Sequence, residues 1–274
     1  MQNKLLNIYN IIENTGGFVP YYHWQELAKE EFDILKPFLR PTNIIVNSYN
    51  CPNPTSPGCP REIIKQKNEI IAICNNQKNI ADCANVKLSI QDIIAFEVDW
   101  QKLSIKLAEI YNINYAYDKL KYFNNTHKIG NFIPIANKKF PVYLIIPSFV
   151  EKIEETLFKL LYEQEQNNFI VIVPTYQMIS DNVINKIRNK DSIIFSLEET
   201  IIISKSRELI ANNFAIELLE NFKQKLLDKF ASKNKLSFFA TPIGATWEDI
   251  EIAFKDGHIV QIICKETSKN NFNI

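Results

Sequence analysis

The chain has 274 residues, 46% hydrophobic and 23% charged; that is enough for one large domain or two modest ones and excludes wholesale disorder. Lys plus Arg equals Asp plus Glu, 31 against 31, so no global field draws the protein toward nucleic acid or an anionic membrane. There are 6 glycines and neither G-x-x-x-x-G-K-[ST] nor G-x-G-x-x-G, which excludes the glycine-rich phosphate loops.

The opening segment, MQNKLLNIYNIIENTGG, mixes Asn, Glu and Lys with its apolar residues and does not read as a signal peptide. No stretch approaches the roughly 18 uninterrupted apolar residues of a spanning helix. The expected location is the cytoplasm, with no membrane partner. Residues 4–14 place Leu5, Ile8, Ile11 and Ile12 at helical spacing, and Gly16-Gly17 stops that helix. A second helix is predicted over 22–36, with Trp24, Leu27, Phe32 and Leu35 apolar and Pro37 and Pro41 ending it.

Four cysteines follow, Cys51, Cys59, Cys74 and Cys83, spaced C-x7-C, fourteen residues, C-x8-C. In a reducing compartment such a cluster points to metal before disulfides. Zinc takes four soft ligands tetrahedrally, and two loops giving two ligands each is a usual solution. The first loop, CPNPTSPGCP, is too proline-rich for helix or central strand, and the second, CNNQKNIADC, is turn-rich. Between them Ile63-Ile64 and Ile70-Ile71 flank a polar turn at Lys67-Asn68, the pattern of a β-hairpin. Knuckle, hairpin, knuckle over residues 49–86 resembles the zinc-ribbon modules, although both knuckles are longer than the usual C-x2-C or C-x4-C. The resemblance implies a closed, structural zinc and a module that contacts nucleic acid or a protein partner. Four unrelated core cysteines, or a redox switch, are the competing explanations. Four thiolates leave no open position for water, so a catalytic zinc is not expected. Cys264 reads as a core residue.

After Cys83, Ser89 and Asp92 form a near-capping box over a short helix, and Asp99 is the expected N-cap of a helix over 100–111. Residues 118–146 read as β-structure, with KLKYF, HKIGNFIPI and FPVYLII separated by Asn124-Asn125 and Asn137-Lys138. Over 141–203 the pattern becomes strand (PVYLIIPS), helix (150–165), strand (NFIVIVPT), helix (178–189), strand (SIIFSL). The nearly continuous apolar strands predict a parallel sheet buried on both faces. A long helix is expected over about 205–232, then a break at Pro242-Ile243-Gly244. Asp256-Gly257 predicts a two-residue hairpin loop pairing Lys255 with His258 and Phe254 with Ile259. The tail SKNNFNI reads as frayed.

Other candidates are few. In open parallel sheets ligands sit at the carboxyl ends of the strands, which here carry Ser148 and Thr175-Tyr176. Those hydroxyls could help hold an anion, or simply cap helices; no carboxylate stands beside them to hold a divalent metal. His23, His127 and His258 are isolated, and each is expected to be non-catalytic. Basic candidates for nucleic acid are Arg61, Lys65, Lys138-Lys139, Lys186, Arg188, Lys190, Lys205 and Arg207, each near acidic residues.

The expected fold is a mixed α/β protein in three parts. Residues 1–112 form N-terminal helices and a zinc-ribbon-like hairpin, 113–235 a Rossmann-like parallel sheet, and 236–274 a C-terminal β-hairpin and tail. The expected role is a non-catalytic, zinc-stabilised recognition or adaptor protein binding nucleic acid or a protein partner. The alternative is an enzyme acting at the strand ends near Ser148 and Thr175. A subunit of a larger assembly, with the terminal hairpin as a pairing edge, is a third possibility.

Overall fold

Gly16, in the left-handed region at φ 67, caps the first helix, α1 (Leu6–Thr15), which buries Ile8, Ile11 and Ile12. Gly17, at φ 77, turns the chain where an added Cβ would lie 2.9 Å from the Val98 side chain. The structure is a computed structural model that describes residues 5–51, 59–67, 69–74, 84–123, 125–136, 138–147, 152–164, 168–234, 246–255, 259–264 and 268–273. The chain divides into two compact units, 1–103 with 147–149, and 104–146 with 150–274.

In the first unit β1 (Phe18–Pro20) leads into α2 (Tyr21–Ala28) and α3 (Phe32–Leu35). The single helix predicted over 22–36 is thus broken. Lys29 adopts φ 49, ψ −120, which no α-helix accommodates, and a 3-10 turn over Lys29–Glu31 joins the halves. The chain continues through β2 (Leu39–Ile45), β3 (Ser48–Asn50), β4 (Pro60–Lys65), β5 (Ile70–Cys74), β6 (Val86–Leu88) and β7 (Ile94–Val98). These strands form two sheets, β1-β7-β2 and β3-β4-β5-β6, each antiparallel throughout. The expected hairpin is β4 and β5, with Ile64 opposite Ile71. Trp24 is fully buried, and its indole N–H donates to the Phe96 carbonyl at 3.2 Å, tying α2 to β7. Ser89 and Asp92 make the capping box: the Ser89 amide and hydroxyl both donate to the Asp92 carboxylate at 2.7 Å.

Helix α4 (Trp100–Ile110) carries the chain onward, and the Asp99 carboxylate accepts from the Lys102 amide at 3.1 Å, as an N-cap does. In the second unit β8 (Asn114–Lys119), β9 (Thr126–Ile135) and β10 (Lys138–Ile145) run antiparallel. Then α5 (Ile153–Glu163), β11 (Ile170–Val173), α6 (Asp181–Asn189) and β12 (Ile193–Ser196) follow. Strands β10, β11 and β12 pair in parallel. The result is one mixed five-stranded sheet, β12-β11-β10-β9-β8. The alternation of strand and helix is as expected, but the sheet is not parallel throughout: the meander that precedes it supplies two antiparallel strands.

The apolar runs are buried on both faces, and all four residues of β11 are inaccessible. One face packs Tyr143, Ile145, Val171 and Val173 against Leu157 and Leu160 of α5 and Val183 and Ile187 of α6. Toward the other face comes the long helix α8 (Asn213–Asn234), whose Phe222 ring lies 6.1 Å from that of Phe132 and 6.3 Å from that of Phe140. At Gly130 in β9 a Cβ would come within 2.3 Å of the Asn114 carbonyl oxygen, so the close approach of β8 there needs glycine.

Between β12 and α8 the chain departs from the predicted helix over 205–232. A short α7 (Leu197–Thr200) leads into a hairpin of β13 (Ile201–Ile203) and β14 (Leu209–Ala211). Arg207 sits in its turn at φ 63, and α8 begins only after the Asn212 carboxamide caps it by accepting from the Ala215 amide at 2.9 Å. The β-branched run Ile201–Ile203 favours strand over helix.

The last elements are β15 (Ile250–Lys255), β16 (Ile259–Cys264) and β17 (Ser268–Asn273), an antiparallel sheet in that order. Lys255 pairs with Ile259 and Phe254 with Val260. Three residues therefore separate the strands, and the register moves by one from a two-residue loop; Asp256, Gly257 and His258 lie outside the described residues. The tail expected to fray is a strand, with Asn270 opposite Ile262. Pro242-Ile243-Gly244 also lies outside the described residues.

Candidate metal centre

Sheet β3–β6 has little core of its own. Among its residues only Arg61 and Ala72 are buried. It is anchored to α2 through the Tyr22 ring, 4.3 Å from that of Tyr49, and through the Asn50 amide, which donates to the Tyr22 hydroxyl at 3.2 Å.

Three of the four cysteines gather at one end of this sheet. The Cys51 amide donates to the Cys59 carbonyl at 2.9 Å, closing the first loop at its base. Cys59 immediately precedes β4, and Cys74 ends β5 opposite Arg61. Cys51 is buried and the other two are partly buried. Burial first, then the hydrogen-bonded Cys74 thiol and the nearby Cys51, push the Cys59 thiol above its ordinary range, with Arg61 opposing. Cys83 lies outside the described residues. Among the described residues no group of three or more His, Cys, Asp or Glu is arranged to hold a metal ion.

Arg61 belongs to this site, and its signal in the sequence was easy to misread. It follows Cys59-Pro60 and looked like a solvated basic residue available to phosphate. Instead it is 2% exposed, with one guanidinium nitrogen donating to the Cys51 sulfur at 3.3 Å and another to the Ala84 carbonyl. It is therefore not an exposed contact for nucleic acid. Among the other basic candidates, Lys65 is exposed on β4. Lys138 lies 5.0 Å over the Phe230 ring and Lys186 4.7 Å over that of Phe158. Lys190 donates to the Leu161 carbonyl at 2.9 Å. Lys205 and Arg207 belong to the β13–β14 turn, not to the start of the long helix.

Of the strand-end candidates, Thr175 and Tyr176 are among the described residues. Thr175 is buried, and its hydroxyl accepts from the Gln177 amide at 3.1 Å, a local turn bond. The Tyr176 hydroxyl donates to the Ile194 carbonyl at 3.0 Å. Ser148 lies outside the described residues. Of the histidines, His23 stacks on Tyr22 at 6.0 Å. His127 is 1% exposed and shares a hydrogen bond with the Tyr117 hydroxyl at 2.9 Å through Nδ1. Burial, then the charge of Lys119, lower its pKa from 6.5 to about 4. The folded protein therefore holds this ring neutral where the unfolded chain would protonate it. Stability from this site is complete above about pH 6.5 and is lost as pH falls toward 4, by about 3 kcal/mol in all. Ring titration by NMR should give a His127 midpoint below 5; a midpoint near 6.5 would contradict the burial described. Cys264 lies in β16, opposite Ile250.

Among the described residues no helix is long and apolar enough to cross a membrane. No family model, curated protein or solved structure matches this chain.

Proposed function

We propose that Cys51, Cys59, Cys74 and Cys83 hold a closed, structural zinc in a zinc-ribbon-like sheet, and that the chain is a non-catalytic recognition or adaptor protein binding nucleic acid or a protein partner. The observation that carries this reading is the meeting of Cys51, Cys59 and Cys74 at one end of a four-stranded sheet with only two buried residues. A sheet so poor in core needs a staple, and metal binding can supply folding free energy directly. The donor set suits zinc: thiolates are its soft ligands, and four of them close its coordination. The zinc would be held by the four cysteines and would supply no chemistry beyond rigidity. The alternative of an enzyme at the strand ends has less support, since the Thr175 hydroxyl is buried in a turn bond.

Generic single- and double-stranded DNA and RNA, titrated against the zinc-loaded chain at several salt concentrations, test the recognition role. Binding that weakens steeply with salt and disappears on zinc removal supports a nucleic-acid partner. No binding at low salt excludes that partner and leaves the protein–protein role.

A further inference from the structure

We propose that the chain forms a two-fold dimer by pairing strand β14 edge to edge with β14 of a second copy. The hairpin β13–β14 is a sheet of two strands, and among the described residues no third strand joins it. The Ser204 amide donates to the Glu208 carbonyl at 2.9 Å, and the Asn212 amide to the Thr200 carbonyl at 3.0 Å. Antiparallel pairs alternate between hydrogen-bonded and non-hydrogen-bonded. Midway between those two bonds the backbones of Ile202 and Ile210 therefore bond each other, and Leu209 and Ala211 turn their amides and carbonyls away from β13. Such an edge is a template for a further strand. The matching edge of β13 is partly engaged, because the Ile201 amide donates to the Leu197 carbonyl. That leaves β14 as the edge that pairs.

This strand is complementary to itself. In an antiparallel pair centred on Ile210, Leu209 of each copy meets Ala211 of the other, and their outward amides and carbonyls satisfy one another. Ile210 then faces Ile210, and Glu208 faces the uncharged Asn212. The charges fit the same arrangement. The turn of the hairpin carries Lys205 and Arg207, while its open end carries Glu198 and Glu199 of α7 and Glu217 of α8. A two-fold axis at Ile210 brings the basic end of each hairpin to the acidic end of the other, which is the self-complementarity an isologous interface requires. Apolar surface is also waiting there. Ile202 and Ile210, a cross-strand pair on one face, are 46% and 39% exposed, and Phe214 and Ile216 at the start of α8 are 49% and 59% exposed. Pairing turns a two-stranded ribbon, marginal by itself, into a four-stranded sheet with one continuous strip of isoleucines.

Light scattering on the reduced full chain, resolved by size-exclusion chromatography, should give the mass of two chains. Ala211→Pro removes one outward amide per copy and spares the pairing with β13, in which that amide takes no part. Its dimer dissociation constant should rise about 10- to 100-fold, for two hydrogen bonds lost across the two-fold axis. Ile210→Glu sets like charges face to face and should leave a monomer. Circular dichroism shows whether each variant is folded. A folded variant of either kind that dimerises as tightly as wild type overturns the proposal. Wild-type protein that is monomeric even at about 1 mM also overturns it, and leaves the hairpin face to a different partner. Should neither variant fold, hydrogen exchange on wild-type protein decides. Protection of the Leu209 and Ala211 amides that disappears on dilution to the monomer supports the pairing, and protection indifferent to dilution overturns it.

Discussion

Cys74→Ser should abolish stoichiometric zinc and unfold the sheet β3–β6 while leaving the five-stranded sheet intact. Structural zinc sites contribute on the order of 10–16 kcal/mol of apparent binding free energy. Removing one thiolate of four therefore costs about 3 kcal/mol or more, roughly a hundredfold in affinity. The sheet has no reserve to absorb that loss, because Ala72 and Arg61 are its only buried residues. The second unit does have one: β10, β11 and β12 bury apolar residues against α5 and α6. Hydrogen exchange separates the two. Amides of Ile63, Ile64 and Ile71 should lose protection in Cys74→Ser, and those of Val171 and Ile172 should keep it. Retained protection at Ile64 and Ile71 would mean the sheet stands without a metal.

Trp24→Ala should be the costliest single substitution in the first unit outside the cysteines. Trp24 is fully buried, and its indole bond to the Phe96 carbonyl joins positions 72 residues apart. Truncating a buried tryptophan to alanine costs about 3–5 kcal/mol. Trp24→Phe should cost less, about 1–3 kcal/mol, chiefly because the Phe96 carbonyl then loses its donor. Urea denaturation followed by far-UV circular dichroism measures both. A loss under about 1 kcal/mol for Trp24→Ala would show that α2 does not anchor β7.

How much of this was legible in the sequence depends on the range of the interaction. Local chemistry read well. Gly16 ends α1, Asp99 caps α4, and Ser89 and Asp92 form their box, all within a few residues of chain. The apolar runs of β10 and β11 read correctly as strands buried on both faces, because burial removes the alternation a half-exposed strand would show. Pairing across long separations read less well. Nothing in HKIGNFIPI says that it lies antiparallel to β10 and joins the parallel strands in one sheet. The β13–β14 hairpin was hidden because its turn, Lys205 to Arg207, is as polar as the exposed face of a helix. The break at Lys29 depends on a backbone conformation that no local residue announces.

At the candidate site Cys59 lies beside Cys51 and Cys74, and Cys83 lies outside the described residues. Arg61 was legible as a residue but not as a role. Charge predicts exposure, and only the pairing of β4 with β5 turns this arginine inward beside a sulfur. The rule for open parallel sheets singles out Ser148 and Thr175 by position alone. It does not reveal that the Thr175 hydroxyl is used within its own turn.

Metal analysis of freshly purified, reduced full-length protein tests the central claim most directly. One equivalent of zinc per chain, lost together with the protection of β3–β6 when any one of Cys51, Cys59, Cys74 or Cys83 becomes serine, is the predicted result. Less than about half an equivalent of zinc in wild-type protein that is otherwise folded would contradict it.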